Sequence, residues 1–217
     1  MTARFDPRLI PPSPDLSFEQ ALWKEGFIFV GGIDEAGRGA WAGPVAAAVV
    51  MLPPDIGLAA VLIGVRDSKQ MTPAQRSHLA LEIKGAAAAW GVGMASHQEI
   101  DAMGIVNATR LAAARSLAQL SRLPQHLLVD YLALPGIHLP QTALVKGDAR
   151  SLSIACASVL AKTARDALLA EVDKCYPGYG FEQHKGYGTA FHRSALARLG
   201  PCPIHRLSFK PLSAAGE

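Results

Sequence analysis

Cysteine is scarce in this chain, and its three cysteines, Cys156, Cys175 and Cys202, lie far apart. Their number is odd, and no Cys-x-x-Cys pair occurs. A disulfide-stapled secreted domain needs a dense and even set of cysteines. The pattern therefore indicates reduced thiols and predicts a cytoplasmic protein.

Long hydrophobic runs are also lacking. The apolar run at residues 45–52 is far shorter than the ~20 residues that a membrane-spanning helix needs. The N-terminus carries prolines and acids where a signal peptide would have its apolar segment. Excess charge is small as well, since the net charge is only +3. Such a charge permits a nucleic-acid partner without demonstrating one.

The chain does have enough apolar residues, 50% of 217, for one large domain with a substantial core. The proline-rich residues 1–15 predict a flexible N-terminal arm. Early strands followed by alternating helices and strands predict an α/β layered domain with a mixed sheet over residues 16–176. Residues 177–217 are then expected to form a helical extension packed on that domain.

Local signals place the individual elements. Three capping-box pairs predict helix starts: Ser17 with Gln20, Thr72 with Gln75, and Ser96 with Glu99. Helices are predicted over residues 17–26, 72–90, 105–120, 153–172 and 189–199. Strands are predicted over residues 27–30, 45–52, 92–95, 127–129 and 143–145.

The stretch at residues 31–44 is rich in glycine and carries two adjacent acids, Asp34 and Glu35, just after the first predicted strand. Glycines there let the backbone turn sharply and approach a ligand closely. Neighbouring strand residues project to opposite faces, so the two acids can share one site only if the strand stops or twists. An acid pair of this kind is either a helix cap or solvated turn, or a binding site for a hard divalent cation.

Three predicted strands end in acids, which are Asp34 with Glu35, Asp130, and Asp148. Ligand sites in open α/β sheets lie outside strand ends, so these four carboxylates are expected to converge. They suffice for two Mg²⁺ or Mn²⁺ ions that activate a water and stabilise a leaving oxygen. No histidine accompanies them, which favours hard cations over zinc. Asp101 and Asp166 lie in helical segments and are expected to be structural.

The C-terminal residues 183–216 contain no acid. They carry basic side chains and histidines that could contact a phosphate backbone or form a solvated face: Lys185, Arg193, Arg198, Arg206, Lys210, His184, His192 and His205. Tyr187 lies between glycines in this segment, where its ring could stack on a base or sugar or belong to the core.

Many blocks of the sequence, in order, resemble the ribonuclease HII (type 2 ribonuclease H) family. They are Ile33-Asp34-Glu35-Ala36-Gly37-Arg38-Gly39, Ala42-Gly43-Pro44-Val45, Asp67-Ser68-Lys69, Asp130, Lys146-Gly147-Asp148, Ser153-Ile154-Ala155-Cys156-Ala157-Ser158, Ala161-Lys162, Arg165-Asp166, Tyr176-Pro177, Tyr179-Gly180-Phe181, His184-Lys185-Gly186-Tyr187-Gly188-Thr189, Gly200-Pro201, His205-Arg206 and Ser208-Phe209. The resemblance covers nearly all of residues 17–211.

The resemblance implies an RNase H-like mixed five-stranded sheet flanked by helices, with a helical C-terminal part. It implies an endonuclease that cuts RNA in RNA–DNA hybrids and nicks duplex DNA 5′ of single embedded ribonucleotides, leaving 3′-hydroxyl and 5′-phosphate ends. Such an enzyme uses Mg²⁺ or Mn²⁺, acts in the cytoplasm in ribonucleotide excision repair, and is expected to be a monomer.

Site residues also carry over from the resemblance. Asp34, Glu35, Asp130 and Asp148 match the four metal-binding acids. Gly37, Arg38 and Gly39 match a loop that senses the 2′-hydroxyl, and Tyr187 matches a tyrosine at the junction sugar. Lys69, Lys162 and Lys185 lie in matching blocks and are further candidates for substrate contact. Two positions depart from the family: Tyr131 follows Asp130 where a glycine is usual, and Cys156 replaces an alanine.

Two other functions remain open at this point. A different nuclease on the same fold, such as a junction resolvase or the type 3 enzyme, would share the acids without the Gly-Arg-Gly loop. A non-catalytic nucleic-acid-binding module would have no reason to keep four acids without metal beside a negatively charged ligand, because they would weaken binding.

Overall fold

The computed structural model describes residues 5–214 of the chain. Its centre is a five-stranded mixed sheet with the strand order β3-β2-β1-β4-β5. The strands are β1 (Val30–Ala36), β2 (Val45–Met51), β3 (Ala89–Ala95), β4 (His126–Asp130) and β5 (Gln141–Leu144). The first three strands are antiparallel neighbours, whereas β4 and β5 run parallel to β1. The predicted mixed sheet of an α/β protein is therefore confirmed.

Helices cover both faces of this sheet. They are α1 (Ser17–Lys24), α2 (Leu58–Val61), α3 (Pro73–Ala86), α4 (His97–Leu117), α5 (Leu152–Cys175), α6 (Phe181–His184) and α7 (Ala190–Leu199). Alternate residues of β2 divide between two cores. Val45, Ala47 and Val49 pack with α4 on one face, whereas Ala48 and Val50 pack with α3 and α5 on the other.

Glycines in the strands allow two helices to approach the sheet closely. A Cβ on Gly32 would lie 2.3 Å from the backbone of Ser153 in α5, and one on Gly93 would lie 2.2 Å from the Ala112 carbonyl oxygen in α4. Gly91 is equally close to α4. The sequence predicts a turn at Gly32 and a helix stop at Gly91, but both lie inside strands, where a glycine marks close backbone packing.

This difference moves two predicted boundaries. The first strand begins at Val30 and runs through the glycines to Ala36, rather than covering residues 27–30. The helix predicted over residues 72–90 ends at Ala86, and Trp90 belongs to β3. Two capping boxes, Thr72 with Gln75 and Ser96 with Glu99, are confirmed.

Two further helix predictions need correction. The capping box at Ser17 is wrong, because α1 is capped at Leu16 and the Asp15 carboxylate accepts a hydrogen bond from the Ser17 N–H, at 2.8 Å. The helix predicted over residues 105–120 is the second part of the long helix α4, which starts at His97 directly after the predicted Ser96 cap. The two predicted signals belong to one helix with a kink at Gly104 (φ +78°).

The C-terminal segment packs against the end of α5. Leu169 of α5 joins Tyr179, Phe181, Ala195 and Ala42 in a separate small core. At the other end, Asp15 forms a β-bridge with Ser151. Residues 1–4 of the predicted arm and residues 215–217 lie outside the described part of the chain, and within that part no helix is long and apolar enough to span a membrane.

Candidate functional site

Three acids predicted to converge do meet at one end of the sheet. Asp34 lies in β1 and Asp130 at the end of the parallel neighbour β4, where Ile33 pairs with Val129 one residue earlier. Asp148 follows β5 in a short 3₁₀ helix, Gly147–Ala149. One carboxylate oxygen from each of the three lies within 4.8 Å of the others. We call Asp34, Asp130 and Asp148 the acid triad.

The backbone after β5 turns Asp148 back toward its partners. Lys146 adopts a left-handed conformation, at φ +54°, and starts the turn. Gly147 then donates its N–H to Asp130 Oδ1 at 2.7 Å. A Cβ on Gly147 would lie 2.7 Å from Ile154 Cδ1 and 3.3 Å from Asp130 Oδ1, so a larger residue would press on both side chains. The Lys146-Gly147-Asp148 sequence thus fixes two members of the triad relative to each other.

The electrostatics of the triad favour neutral or cation-bound carboxyls. Burial, followed by the charges of Glu35 and Asp130, raises the pKa of Asp34 well above its usual range. Burial and the charge of Asp130 raise the pKa of Asp148 to about 6. Burial also raises the pKa of Asp130, although its bond from Gly147 acts in the opposite direction. Like charges in a buried site raise pKa values in this way unless a cation compensates them.

Glu35, the fourth predicted acid, stands apart from the triad. The strand does not stop at Asp34 but continues to Ala36, so the two adjacent acids alternate in direction. Glu35 Oε1 accepts a hydrogen bond from Arg38 Nη1 at 3.1 Å. Its charge still raises the pKa of Asp34 and of Asp130. The structure therefore places Glu35 beside the triad, paired with the glycine loop.

Two buried arginines hold the loop that carries Gly37, Arg38 and Gly39. Arg206 donates to the carbonyl oxygens of Gly37 and Arg38 at 2.8 and 2.9 Å, and it also bonds two more carbonyls farther along the loop. Arg165 donates to carbonyls on the same loop and to the Lys185 carbonyl at 2.9 Å. Burial lowers the pKa of Arg206 to about 9. These bonds join the glycine loop to the segment that contains Tyr187.

Tyr187 and the candidate lysines line the space beside the loop. A cleft of about 800 Å³ is bordered by Glu35, the Gly-Arg-Gly loop, Lys69, Lys162, Lys185 and Tyr187. A second cleft of about 480 Å³ adjoins Asp130 and Asp148 and shares Lys69 with the first. Lys69 therefore lies where the two clefts adjoin.

The three lysines differ in how far they are exposed and in the hydrogen bonds that their ammonium groups make. Lys69 has a side chain that is 75% exposed. Lys162 donates to Asp166 at 2.7 Å and lies 5.7 Å from the centre of the Tyr187 ring. Lys185 Nζ makes a longer bond, 3.4 Å, to the Asp166 backbone carbonyl. Asp166 also pairs with Arg76, so its expected structural role is confirmed.

The C-terminal segment is less available to a phosphate backbone than its charge suggested. Arg206 and the histidines His184, His192 and His205 are buried. Arg193 and Arg198 donate to backbone carbonyls, while Lys210 is exposed. The structural role expected for Asp101 is also confirmed, because its carboxylate accepts three hydrogen bonds from Leu207 and Ser208.

Sequence reasoning missed the loop-holding role of Arg165 and assigned Arg206 to the wrong kind of contact. The carbonyls that accept from Arg165 and Arg206 include partners 123 and 169 residues away, so no local pattern identifies them. The departure at Tyr131 has a visible consequence: its φ is +56°, a conformation in which glycine is favoured, and its side chain is exposed.

Comparison with known proteins supplies the family. The family model for ribonuclease HII matches residues 31–212. A protein named ribonuclease HII from Chloroflexus aurantiacus is 52% identical over 203 residues, which cover 93% of this chain and 96% of that protein.

Solved structures agree with this match. The ribonuclease H2 of Pyrococcus horikoshii superposes with a TM-score of 0.69 at 26% identity, and the match covers 86% of this chain and 96% of that one. A Bst-RNase HIII in complex with Mn²⁺ shares the fold, with a TM-score of 0.68 at 18% identity and coverage of 87% and 69%. The predicted RNase H-like architecture is confirmed, and the chain belongs to the ribonuclease HII family.

Proposed function

We propose that this enzyme hydrolyses the RNA strand of RNA–DNA hybrids and nicks duplex DNA on the 5′ side of a single embedded ribonucleotide. The observation that carries the proposal is the acid triad, gathered within 4.8 Å beside a loop of glycines. Membership of the ribonuclease HII family supports the same activity. We further propose that residues 177–217 act as a substrate-binding extension of the catalytic domain of residues 16–176. We also propose that the enzyme works as a cytoplasmic monomer in ribonucleotide excision repair.

The acid triad fits hard divalent cations. Its donors are carboxylate oxygens only, which suit Mg²⁺ and Mn²⁺ better than softer metals. Burial of like charges also raises the pKa of each carboxyl, and this is the cost that a bound cation removes. Asp34, Asp130 and Asp148 would therefore hold the metal, and Glu35 would complete the set from the neighbouring position.

Bound ions of this kind activate a water and stabilise the leaving oxygen of a phosphodiester. The protein's own part is to hold the carboxylates in place and keep them deprotonated. Gly147 does this for Asp130 by donating its N–H to Oδ1. Arg38 does this for Glu35, because its guanidinium lowers the pKa that burial has raised. Water attacks the phosphorus on the 5′ side of the ribonucleotide and the P–O3′ bond breaks. The O3′ of the preceding nucleotide then leaves as a 3′-hydroxyl, and the phosphate stays on the ribonucleotide as a 5′-phosphate.

The glycine loop provides the selectivity for RNA. The 2′-hydroxyl is the group that separates RNA from DNA, and it both donates and accepts hydrogen bonds. Because the carbonyls of Gly37 and Arg38 are bonded to Arg206, we assign the contact with the 2′-hydroxyl to the loop N–H groups. The Arg38 side chain is 36% exposed and can reach a neighbouring phosphate.

Tyr187 would contact the sugar that follows the ribonucleotide. Its ring lies in the same cleft as the glycine loop, within 5.7 Å of Lys162 Nζ and of the Arg165 guanidinium. A flat ring packs well on a deoxyribose and crowds a 2′-hydroxyl. Lys69, Lys162 and Lys185 border this cleft and are proposed to contact the nucleic-acid backbone.

A labelled duplex with one embedded ribonucleotide tests the proposal. We expect a single cut 5′ of the ribonucleotide, with Mg²⁺ or Mn²⁺ required and 3′-hydroxyl and 5′-phosphate ends. Asp34→Asn should reduce the cleavage rate by more than about a hundredfold, because even outer-sphere partners of metal ligands contribute about 10- to 100-fold. It should still bind the duplex.

An all-DNA four-way junction is the control substrate and should remain intact. Cleavage of that junction in preference to the ribonucleotide duplex would indicate a resolvase instead. A normal cleavage rate for Asp34→Asn would refute the role of the triad.

A further inference from the structure

A chain of two buried histidines leads from the C-terminal segment to the backbone of Tyr187. His192 lies on α7 and is completely buried, and His205 lies 13 residues later and is 1% exposed. His192 Nδ1 lies 3.1 Å from the Tyr187 carbonyl oxygen. His192 Nε2 lies 3.1 Å from His205 Nε2. His205 Nδ1 lies 2.9 Å from the Cys202 backbone nitrogen.

The Tyr187 carbonyl, at one end of this chain of hydrogen bonds, determines which ring nitrogen of each histidine carries a proton. A carbonyl oxygen only accepts, so His192 Nδ1 must donate to it. Burial lowers the pKa of His192 to about 4 and also lowers that of His205, so both rings are neutral near pH 7. His192 Nε2 must then accept from His205 Nε2–H. His205 Nδ1 in turn accepts from the Cys202 N–H, so the Cys202 carbonyl oxygen, 3.0 Å from the same nitrogen, receives no proton from this ring.

His192 also touches the other elements that meet at Tyr187. Its ring stacks on His184 at 4.3 Å between centroids and lies 5.6 Å from the ring of Trp41, which belongs to the glycine-rich loop. The backbone N–H of Trp41 donates to the Gly186 carbonyl at 2.8 Å. The backbone around Tyr187 is therefore held from the loop on one side and from His192 on the other.

This part of the backbone needs such support. Lys185 and Gly186 have successive positive φ angles, +52° and +81°. A Cβ on Gly186 would lie 2.5 Å from the Ala42 carbonyl oxygen, so the turn is pressed against the glycine-rich loop. The direction of the Tyr187 ring depends on the peptide plane that carries its carbonyl. Two donors hold that plane, the Thr189 backbone N–H at 2.8 Å and His192 Nδ1 at 3.1 Å, and His192 is the one that comes from a side chain.

We propose that His192, oriented by His205, is a positioning residue that fixes Tyr187 for recognition of the sugar after a single ribonucleotide. The inference rests on the proposed junction role of Tyr187 and extends it to two residues outside the cleft. His192 touches no substrate in this arrangement. It acts through the Tyr187 carbonyl, so its loss should change substrate preference more than general activity.

Two substitutions at His192 separate positioning from packing. In His192→Asn, the side-chain amide nitrogen takes the place of Nδ1 and keeps the donor to Tyr187. In His192→Gln, the amide takes the place of Nε2, which keeps the contact with His205 and loses the donor to Tyr187. Both variants introduce a neutral polar amide of similar size into the same cavity.

The measurement is kcat and KM on two substrates, a duplex with one ribonucleotide and a uniform RNA–DNA hybrid. The ratio compared is kcat/KM for the single-ribonucleotide duplex divided by kcat/KM for the uniform hybrid. We expect His192→Gln to lower this ratio by about fivefold, which corresponds to about 1 kcal/mol for one hydrogen bond. His192→Asn should stay within about twofold of the wild-type ratio. Tyr179→Phe, which removes a 2.7 Å bond to the Gly200 carbonyl in the same core, is the matched control and should leave the ratio unchanged.

Tyr187→Ala serves as the reference for the junction role. If it lowers the ratio while His192→Gln does not, or if the Asn and Gln variants behave alike, the role of His192 is refuted and that of Tyr187 stands. If Tyr187→Ala leaves the ratio at the wild-type value, the proposed role of Tyr187 fails and the inference fails with it.

Discussion

At the scale of single residues, buried aspartates have different roles in this protein because their partners differ. Asp166 is held by Arg76 and Lys162, and this ion-pair cluster explains its burial. Among the described residues, no basic side chain forms a salt bridge with Asp34, Asp130 or Asp148. Buried carboxylates that repel each other destabilise the fold, so such a group indicates function rather than structure.

The pH dependence of stability follows from Asp148. Its pKa is raised to about 6 in the folded protein, from an ordinary value of 3.8. The folded state therefore binds more protons than the unfolded chain between about pH 4 and pH 6, and stability falls as pH rises through that window. Asp148→Asn removes this loss.

We expect the difference in melting temperature between Asp148→Asn and wild type to increase by about 2–4 °C from pH 4 to pH 7. This is the change in melting temperature expected for about 1 kcal/mol of stability in a protein of this size. Thermal unfolding in EDTA at both pH values is the measurement. A difference that stays constant with pH would contradict the assignment. Asp101→Asn is the control and should show no such rise, because the pKa of Asp101 is lowered, despite burial, by the bonds from Ser208 and Leu207 and its effect on stability lies below about pH 4.

At the scale of elements, the glycine loop is rigid because charged side chains from two distant segments hold it. Arg165 comes from α5 and Arg206 from the C-terminal segment, and both donate to loop carbonyls. Burying two guanidinium groups is costly unless each N–H finds an acceptor. The loop carbonyls supply these acceptors, so the shape of the loop and the burial of the arginines depend on each other.

Two glycines in this loop should respond differently to substitution. Gly37 has φ +91°, and a Cβ there would lie 2.0 Å from Arg165 Nε. Gly39 is exposed, and a Cβ there would meet nothing within 4 Å. We expect Gly37→Ala to destabilise the protein by about 2 kcal/mol or more, through backbone strain and displacement of Arg165.

Gly39→Ala is the matched control for folding and should change the melting temperature by less than about 1 °C. It should nevertheless weaken discrimination between a ribonucleotide duplex and DNA, since the new methyl group would stand in the cleft. Thermal unfolding and cleavage rates measure the two effects. Equal melting temperatures for the two variants would contradict the packing around Gly37.

At the scale of the whole molecule, the fold decides which positive charges face the two clefts. The net charge is only +3, and several basic residues of the C-terminal segment are buried or bonded internally. Lys69 is different, because it is exposed and lines both clefts. Burial acts to lower its pKa, but the charges of Asp67 and the acid triad outweigh this and raise it.

The salt dependence of binding tests the place of Lys69. If it contacts a phosphate, Lys69→Ala should reduce the slope of log K against log salt by about 0.9. Binding of a ribonucleotide duplex by the Asp34→Asn protein in Mg²⁺, measured over a range of salt concentrations, gives the slope. Lys84→Ala is the control, because Lys84 lies over the Trp90 ring and lines neither cleft, and its slope should match that of the parent. Identical slopes for both variants would remove Lys69 from the interface.

Much of the fold was predictable because its signals are local. The capping boxes at Thr72 and Ser96, the buried strand β2 and the acids at the ends of β4 and β5 depend on neighbouring residues only. Predictions failed where a glycine served a distant partner. Gly32 admits Ser153 of α5, and Gly91 admits Ser116 at the far end of α4. A local pattern cannot distinguish that use from a turn.

The sequence by itself determined the chemistry of the site, since the acids, the glycines and their order along the chain identify hard-cation ligands and a close backbone approach. Only the tertiary structure decided which of these residues act together. It separated Glu35 from the acid triad by continuing a strand, and it turned Arg206 from a surface charge into the internal support of the glycine loop. The reason is that hydrogen bonds and buried charges depend on partners more than a hundred residues away, and folding alone brings these partners together.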